Sequence, residues 1–315
     1  MASAQEILSM NPEKHPSFSV VLPVYHGDDP QHFNKAVESL ASQTVIPDEV
    51  VVVEDGPLTD SLERILSDWS TEFPGNFRRC RHESNKGLSV ALRTGVKAAS
   101  NDLVARMDAD DLSVEDRFET QLQFLIDNPE TDVVGGYIAE FSSDPSDISA
   151  LRKVPHQHDA IRRKARFRSP MNHGSVMFRR DSVLQVGNYR SVDRMEDYGL
   201  WVRLLLSGAT FRNIPKVLLK VRAGNQLYDR RGGWEYAREE LRLQTEFYRW
   251  GFTSLPIFIL NVSFRSVLRL IPNRVRRLVY QQLAREEPPD RVANNYSEPE
   301  SEFSDFEEST DEQEP

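Results

Sequence analysis

The sequence predicts an α/β fold, a mostly parallel central sheet with helices on both faces. Between residues 18 and 138, apolar strand-like runs alternate with segments whose apolar residues recur at helical spacing. The strand-like runs are apolar throughout, as is typical of parallel strands that are buried on both faces. Ligands of such sheets bind beyond the carboxyl ends of the strands, so we expect the functional residues there.

The predicted elements follow in order along this half of the chain. The strand-like runs are residues 18–24, 50–53, 77–82, 103–107 and 133–138. The helices between them carry these apolar stripes: Phe33, Val37, Leu40 and Ala41; Leu62, Ile65, Leu66 and Trp69; Leu88, Leu92, Val96 and Ala99; Phe118, Leu122 and Leu125. The pattern after residue 140 is more mixed, and we find no internal repeat.

Composition limits the class of protein. The net charge is −10, but residues 286–315 hold twelve acids and one base, so the remainder sums to about +1. We expect this acidic tail to be disordered and to act as a solubilising or halophilic extension, and we expect no nucleic-acid partner for the protein. The single cysteine, Cys80, excludes an internal disulfide and fits a reducing compartment. We find neither a secretory signal nor an apolar run that could span a bilayer, which predicts a cytoplasmic protein.

An acidic cluster, Asp108, Asp110 and Asp111, directly follows the strand-like run at 103–107. Three carboxylates within four positions repel one another unless a cation is shared among them. Asp108 and Asp110 are two apart, so both can reach one divalent ion. The alternative is an acidic helix start at which Asp111 or Ser113 caps the next helix.

Other phosphate-binding motifs do not occur. The first strand is not followed by the glycine-rich dinucleotide fingerprint, and the chain contains neither a Walker A sequence nor a Cys/His set with zinc spacing. Any anion handling therefore falls to the carboxylates through a metal ion, assisted by arginines.

Five motifs occur in the order seen in family 2 glycosyltransferases: Val20-Val21-Leu22-Pro23-Val24-Tyr25, Glu54-Asp55-Gly56, Asn85-Lys86-Gly87, Asp108-Ala109-Asp110-Asp111 and Glu196-Asp197. The chain resembles this family over roughly residues 17–250, and especially its exopolysaccharide or amylovoran-type subgroup. The resemblance implies a GT-A fold and inverting transfer from a nucleotide sugar. Where the subgroup often has Asn-His-Pro, this chain has Asn172-His173-Gly174.

The resemblance assigns donor-side roles. Asp110 would bind Mn²⁺ or Mg²⁺, and Asp108 would contact the metal or the ribose. Asp55 would accept a hydrogen bond from the nucleobase of a UDP-sugar. The pocket for the nucleobase would be lined by Pro23, Val24 and Tyr25. Basic residues would meet the diphosphate: Lys86, Arg93, Arg230 and Arg231. An exposed helix position is the alternative for Arg93, and a solvated charge cluster is the alternative for the arginine pair.

On the acceptor side, Asp197 is the candidate general base, because direct displacement needs a carboxylate opposite the leaving diphosphate. The apolar pattern predicts a helix from near Met195, so that Glu196 and Asp197 lie in its first turn. Glu196 could serve as the base or only stabilise the helix dipole. His173 would contact the acceptor or a phosphate, with a structural histidine as the alternative.

These roles divide the chain into a flexible start (1–16), a catalytic domain (17–251) with nucleotide-sugar (17–140) and acceptor (141–251) halves, a basic segment (252–285) and the tail (286–315). In the basic segment, Asn261, Arg265 and Arg269 share a helical face suited to anionic lipid on the inner side of the cell membrane. A helix packed on the domain is the alternative.

The predicted acceptor is a lipid-linked or glycan molecule in cell-surface polysaccharide or glycoprotein assembly. The rival functions are a sugar-1-phosphate nucleotidyltransferase and a non-catalytic nucleotide-sugar-binding scaffold. The first usually has a glycine-rich loop where this chain has Pro23-Val24-Tyr25. Donor turnover would exclude the second.

Overall fold

The structure, a computed structural model, describes residues 15–190, 195–222 and 234–270. Arg230, Arg231 and the acidic tail lie outside the described residues, as does almost all of the predicted flexible start.

The elements of the first part of the chain match the predicted alternation. They are β1 (Phe18–Val24), α1 (Pro30–Ala41), β2 (Glu49–Glu54), α2 (Asp60–Glu72), β3 (Asn76–Arg81), α3 (Leu88–Ala98) and β4 (Leu103–Arg106). Next come β5 (Leu112–Ser113), α4 (Arg117–Asp127), β6 (Val133–Phe141), β7 (Ile148–Arg152) and α5 (His158–Ala165). The rest are a 3₁₀ turn (His173–Ser175), β8 (Met177–Arg179), α6 (Arg180–Gln185), α7 (Glu196–Leu206), β9 (Phe211–Arg222), α8 (Trp234–Arg249) and α9 (Leu255–Leu270).

The described strands form one sheet in the order β3-β2-β1-β4-β8-β6-β9-β5, with β7 paired to β6. The pairs β1–β2, β2–β3, β1–β4 and β6–β9 are parallel, whereas β8 is antiparallel to both of its neighbours. The prediction of a mostly parallel sheet is confirmed.

Two cores lie on opposite faces of this sheet, because successive side chains of a buried strand point to opposite sides. Val21 and Val51 pack into the core that contains α3 and α7. Val20 and Val50 pack into the core that contains α1, α2 and α4. Helices therefore cover both faces, as predicted.

The alternative interpretation of the acidic cluster, a helix cap, is wrong. After Asp111 the chain forms the short strand β5, which pairs with β9. The helix begins only at Arg117, with Asp116 at its cap position. Asp111 and Ser113 therefore lie ahead of the helix, and the acidic cluster is left at the sheet edge.

Helix α9 packs on α8 through the face that contains Asn261. This side chain is buried, and its Nδ2 donates to the Arg166 carbonyl at 2.8 Å and to Gln244 Oε1 at 3.0 Å. Another part of the helix surface is apolar and solvent-exposed: Leu255, Ile259, Leu260 and Phe264 are 49–57% exposed. The face containing Asn261 was predicted to meet lipid, but at Asn261 it meets protein.

Candidate active site

The carboxyl ends of β1, β2 and β4 bring the predicted donor-side motifs together. The Asp55 N–H donates to the Val24 carbonyl at 2.8 Å, and the Met107 N–H donates to the Val21 carbonyl at 3.2 Å. The segments that follow these strands therefore share one edge of the sheet, as expected for parallel strands.

Asp55 is buried and holds the loop after β3. Its Oδ1 accepts from His82 Nδ1 and from the Lys86 N–H, both at 2.9 Å, and its Oδ2 accepts from the Gly87 N–H at 2.9 Å. Gly56 adopts a φ of +94°, and a Cβ there would lie 2.6 Å from the Asn85 nitrogen. Only glycine permits this close approach of the two loops.

The other donor-side candidates differ in exposure. Pro23 and Val24 are buried in β1, whereas Tyr25 is 37% exposed and lies against the His26 ring. Lys86 is exposed. Arg93 is half-buried, and its Nε donates to the Tyr189 carbonyl at 2.6 Å.

Asp108 forms a two-point ion pair with Arg106, from Nη1 to Oδ2 and from Nη2 to Oδ1. Arg106 is 3% exposed, and it also interacts with the charges of Glu196 and Asp111. The charge of Arg106, which lies in the apolar strand β4, is thus neutralised by Asp108 in the loop that follows the strand. Arg106 thus interacts with acids predicted for the donor side and with Glu196, an acid predicted for the acceptor side.

Asp110 and Asp111 lack such a partner among the described residues. Burial raises the pKa of Asp110, and the charge of Asp108 raises it further. Burial also raises the pKa of Asp111 well above its usual value, although its Oδ1 accepts from the Arg222 N–H at 3.1 Å. Asp28 belongs to the same group of acids. Burial raises its pKa to about 7, and the charges of Asp110 and Asp108 add to this rise, whereas a hydrogen bond from the Tyr25 N–H acts in the opposite direction.

Beneath the acids lies Arg117, which is fully buried. Its Nη2 donates to the Arg106 carbonyl at 2.8 Å and its Nη1 to Ser113 Oγ at 3.1 Å. Burial, together with the charge of Arg106, lowers its pKa to about 9. Two buried guanidinium groups therefore oppose the charge of the acidic cluster.

The predicted acceptor-side acids start α7, as the sequence indicates. Asp197 Oδ2 accepts from Ser169 Oγ at 2.8 Å. Burial raises the pKa of Glu196 to about 7, and the charge of Asp197 adds to the shift. The two neighbours thus differ, because Asp197 has a hydroxyl donor, whereas Glu196 interacts with the charge of Arg106.

His173 is held by aromatic neighbours. Its Nε2 lies 2.8 Å from the Tyr189 hydroxyl, and its ring meets Trp201 edge-on at 5.8 Å. Burial lowers the pKa of His173 well below its usual value, and the charge of Arg106 contributes. The ring is therefore neutral near pH 7, with Nδ1 3.9 Å from Glu196 Oε1.

The acids suit a divalent ion that is shared with a substrate. No group of three or more His, Cys, Asp or Glu side chains in the described part of the chain could hold a metal alone. Asp110 carries charge that no described cation neutralises directly, and Asp108 stands beside it. Mg²⁺ and similar ions bind one or two carboxylates and take further oxygens from phosphates, so the residues fit such an ion.

The sequence profile described as "Glycosyl transferase family 2" matches residues 19–187, more than half of the chain. The chain is a family 2 glycosyltransferase. It is 34% identical over 270 residues to a protein of Escherichia coli named UDP-Gal:alpha-D-GlcNAc-diphosphoundecaprenol beta-1,3-galactosyltransferase, covering 86% of this chain and 97% of that protein. It is 35% identical to the amylovoran biosynthesis glycosyltransferase AmsE of Erwinia amylovora, covering 84% and 98%.

Solved structures support the GT-A fold of this glycosyltransferase. The mannosyltransferase PcManGT of Pyrobaculum calidifontis, in complex with GDP-Man and Mn²⁺, has a TM-score of 0.58 at 17% identity, over 90% of this chain and 81% of that one. S. aureus TarS 1-349, in complex with UDP-GlcNAc, has a TM-score of 0.57 at 16% identity, over 73% and 66%. Family membership disfavours the nucleotidyltransferase alternative.

Sequence reasoning did not single out four residues of this site: Asp28, His82, Arg106 and Ser169. Two of them left a signal, because Arg106 is a charge in an apolar strand and Asp28 lies in the polar segment after β1. Ser169 and His82 approach their carboxylates from distant loops or strand ends. Only the fold brings them close.

Proposed function

We propose that the protein transfers a sugar from a UDP-sugar to a lipid-linked acceptor, with inversion at the anomeric carbon. The carrying observation is Arg106, which interacts with both the Asp108 cluster and Glu196. One buried cation thus pairs with an acid proposed for the donor side and interacts with the charge of an acid proposed for the acceptor side. The E. coli relative, 34% identical, is named for a UDP-Gal donor and a diphosphoundecaprenol acceptor.

On the donor side, Asp110 and Asp108 would hold Mn²⁺ or Mg²⁺. A divalent ion there would stabilise the negative charge of the leaving diphosphate. Asp55 would accept a hydrogen bond from the nucleobase, between the walls formed by Pro23, Val24 and Tyr25. Lys86 is exposed beside this pocket and would meet the phosphates.

On the acceptor side, Asp197 would take the proton of the attacking hydroxyl. Its place in the first turn of α7 puts the carboxyl group near the positive end of the helix dipole. Ser169 donates to Oδ2 and so holds the carboxyl group in one orientation. Glu196 is the alternative base, because its pKa of about 7 suits proton transfer near neutral pH.

We further propose that α9 contacts the membrane that carries the acceptor, on its inner face. No helix within the described residues is long and apolar enough to cross a bilayer. The exposed side chains of Leu255, Ile259, Leu260 and Phe264 could instead enter the interface, and the arginines of the basic segment suit anionic lipid.

The test is a transfer assay with UDP-sugars, Mn²⁺ and a GlcNAc-diphosphate-lipid acceptor, with the anomeric configuration of the product determined by NMR. We expect inversion, because a single displacement leaves no covalent intermediate. Asp197→Asn should slow transfer about 10²–10⁴-fold with little change in UDP affinity. Retention would refute the mechanism, and a near-normal rate would move the base to Glu196. A total lack of turnover would favour the scaffold alternative.

A further inference from the structure

His82, at the end of β3, belongs to a hydrogen-bond chain that the proposed transfer reaction does not use. The ring is buried, with Nδ1 2.9 Å from Asp55 Oδ1 and Nε2 2.9 Å from Thr94 Oγ1. An ionised carboxylate only accepts, so Nδ1 carries the proton that is donated to Asp55. Thr94 Oγ1 occupies the other ring nitrogen, Nε2. Both ends of the imidazole are therefore fixed.

The chain limits what Asp55 can still accept. A carboxylate offers about four acceptor directions, two on each oxygen. His82 and the Lys86 N–H fill both directions on Oδ1, and the Gly87 N–H fills one on Oδ2. One direction remains on Oδ2. Asp55 can therefore take one further N–H donor, but not two donors side by side.

We infer that His82 sets the nucleobase selectivity of the donor site by filling the Oδ1 atom of Asp55. This inference rests on the proposed function, in which Asp55 contacts the base. Uracil presents one N–H between two carbonyl oxygens, which one open acceptor direction satisfies. Guanine presents a ring N–H beside an amino group, and a carboxylate binds both only when each oxygen has an open direction. The arrangement therefore selects uridine donors over guanosine donors.

The fold alone does not select the base, since similar structures hold UDP-GlcNAc in one case and GDP-Man in another. The selecting feature must therefore be local. A site with a fixed set of hydrogen-bond donors and acceptors rejects a ligand that leaves any of these groups, or any of its own, without a partner. Among the described residues, His82 is the one side chain that donates a hydrogen bond to Asp55. Its removal therefore frees one acceptor direction on Oδ1.

The experiment measures the Kd of UDP and of GDP, each with Mn²⁺, by calorimetry for the full-length protein and two variants. We expect the parent to prefer UDP by at least about tenfold. His82→Ala should lower the ratio of GDP Kd to UDP Kd by about tenfold, because Oδ1 opens to a second donor. His82→Asn places an amide nitrogen where Nδ1 stood and should keep the parent's ratio.

Each outcome is decisive. If His82→Ala weakens UDP and GDP equally, the histidine is only structural and the inference is overturned. A parent that prefers GDP also overturns it, while glycosyl transfer stands. A parent that binds neither nucleotide removes the proposed function and the inference together. If thermal melting shows that His82→Ala does not fold, His82→Leu replaces it, because leucine removes the donor without leaving a large cavity.

Discussion

At the scale of single residues, the site is defined by an unequal pairing of charges. Asp108 has a guanidinium on both oxygens, whereas Asp110 has no such partner among the described residues. Burial raises the pKa of Asp110, the charge of Asp108 raises it further, and the charges of Arg222 and Arg106 offset only part of the shift. A divalent cation bound beside Asp110 would favour its ionised form and so relieve this cost.

We predict that Asp110→Ala abolishes the Mn²⁺-dependent part of UDP binding and leaves the protein folded. The fold should not suffer, because the removed carboxylate has an unfavourable environment in the native state. Calorimetry with and without Mn²⁺ measures the loss. Asp102→Ala, which removes an exposed acid at the opposite end of β4, is the matched control and should bind like the parent. Metal-dependent affinity that survives in Asp110→Ala would contradict the assignment.

We predict that Glu196→Gln flattens the pH dependence of stability. The native pKa of Glu196 is about 7, above its ordinary value of 4.5, so the native state keeps a proton that the unfolded state loses between these pH values. The free energy of unfolding of the parent should therefore fall by about 1–3 kcal/mol as pH rises from 4.5 to 7. Urea unfolding at several pH values measures both slopes, and identical slopes would refute this role of Glu196.

At the scale of elements, strands and helices were predictable where one physical pattern dominates. Strands β1, β2 and β4 are buried on both faces, so their apolar runs stand out in the sequence. The start of α4 was not predictable, because β5 gains its ladder from β9, about a hundred residues later. The buried face of α9 was also missed, since the partners of Asn261 are Arg166 and Gln244, which no local pattern reveals.

The same limit applies to the candidate site. The Asp108–Asp111 motif and the first turn of α7 were recognisable because acids cluster there within a few positions. The partners of those acids were not, since Arg106 acts through its burial and Ser169 through a loop contact to Asp197. Which polar groups pair in space depends on the fold, and the spacing of apolar residues along the sequence does not reveal it.

Helix α9 yields a prediction about membrane contact. The double variant Ile259→Glu/Phe264→Glu should bind anionic vesicles at least about tenfold more weakly, because it places charge in the apolar surface and repels anionic lipid. Co-sedimentation with phosphatidylglycerol vesicles measures this. The matched control, Ile46→Glu/Ile126→Glu, alters two residues of 40% and 37% exposure elsewhere and should bind like the parent. Equal loss in both would indicate a general charge effect.

At the scale of the whole molecule, charge is divided very unevenly along the chain. The last thirty residues carry −11 and everything before them about +1, within the total of −10. Like charges repel over a distance that salt shortens, to about 10 Å at 0.1 M. The tail therefore opposes any attraction between the rest of the protein and an anionic surface.

We predict that a chain ending at Arg285 binds anionic vesicles more tightly than the full chain at low salt. The gain should be several-fold at about 0.01 M salt and vanish near 1 M, where screening reaches about 3 Å. Vesicle titration over a salt series measures it. Neutral phosphatidylcholine vesicles are the control and should not distinguish the two chains. Weaker binding by the shortened chain would mean that the tail itself contributes to attachment.

The sheet order also governs how this protein is made. Strand β4 pairs with β8, and Leu103 lies opposite Arg179 in this pair. The open edge of β4 can therefore be covered only after residue 179 has been synthesised. During synthesis, the first strands thus leave the ribosome with an exposed ladder of backbone groups, which attracts other chains. Non-local pairing of this kind also folds slowly. A nascent chain that pauses between these points would keep this edge of β4 exposed and would be the species most in need of a chaperone.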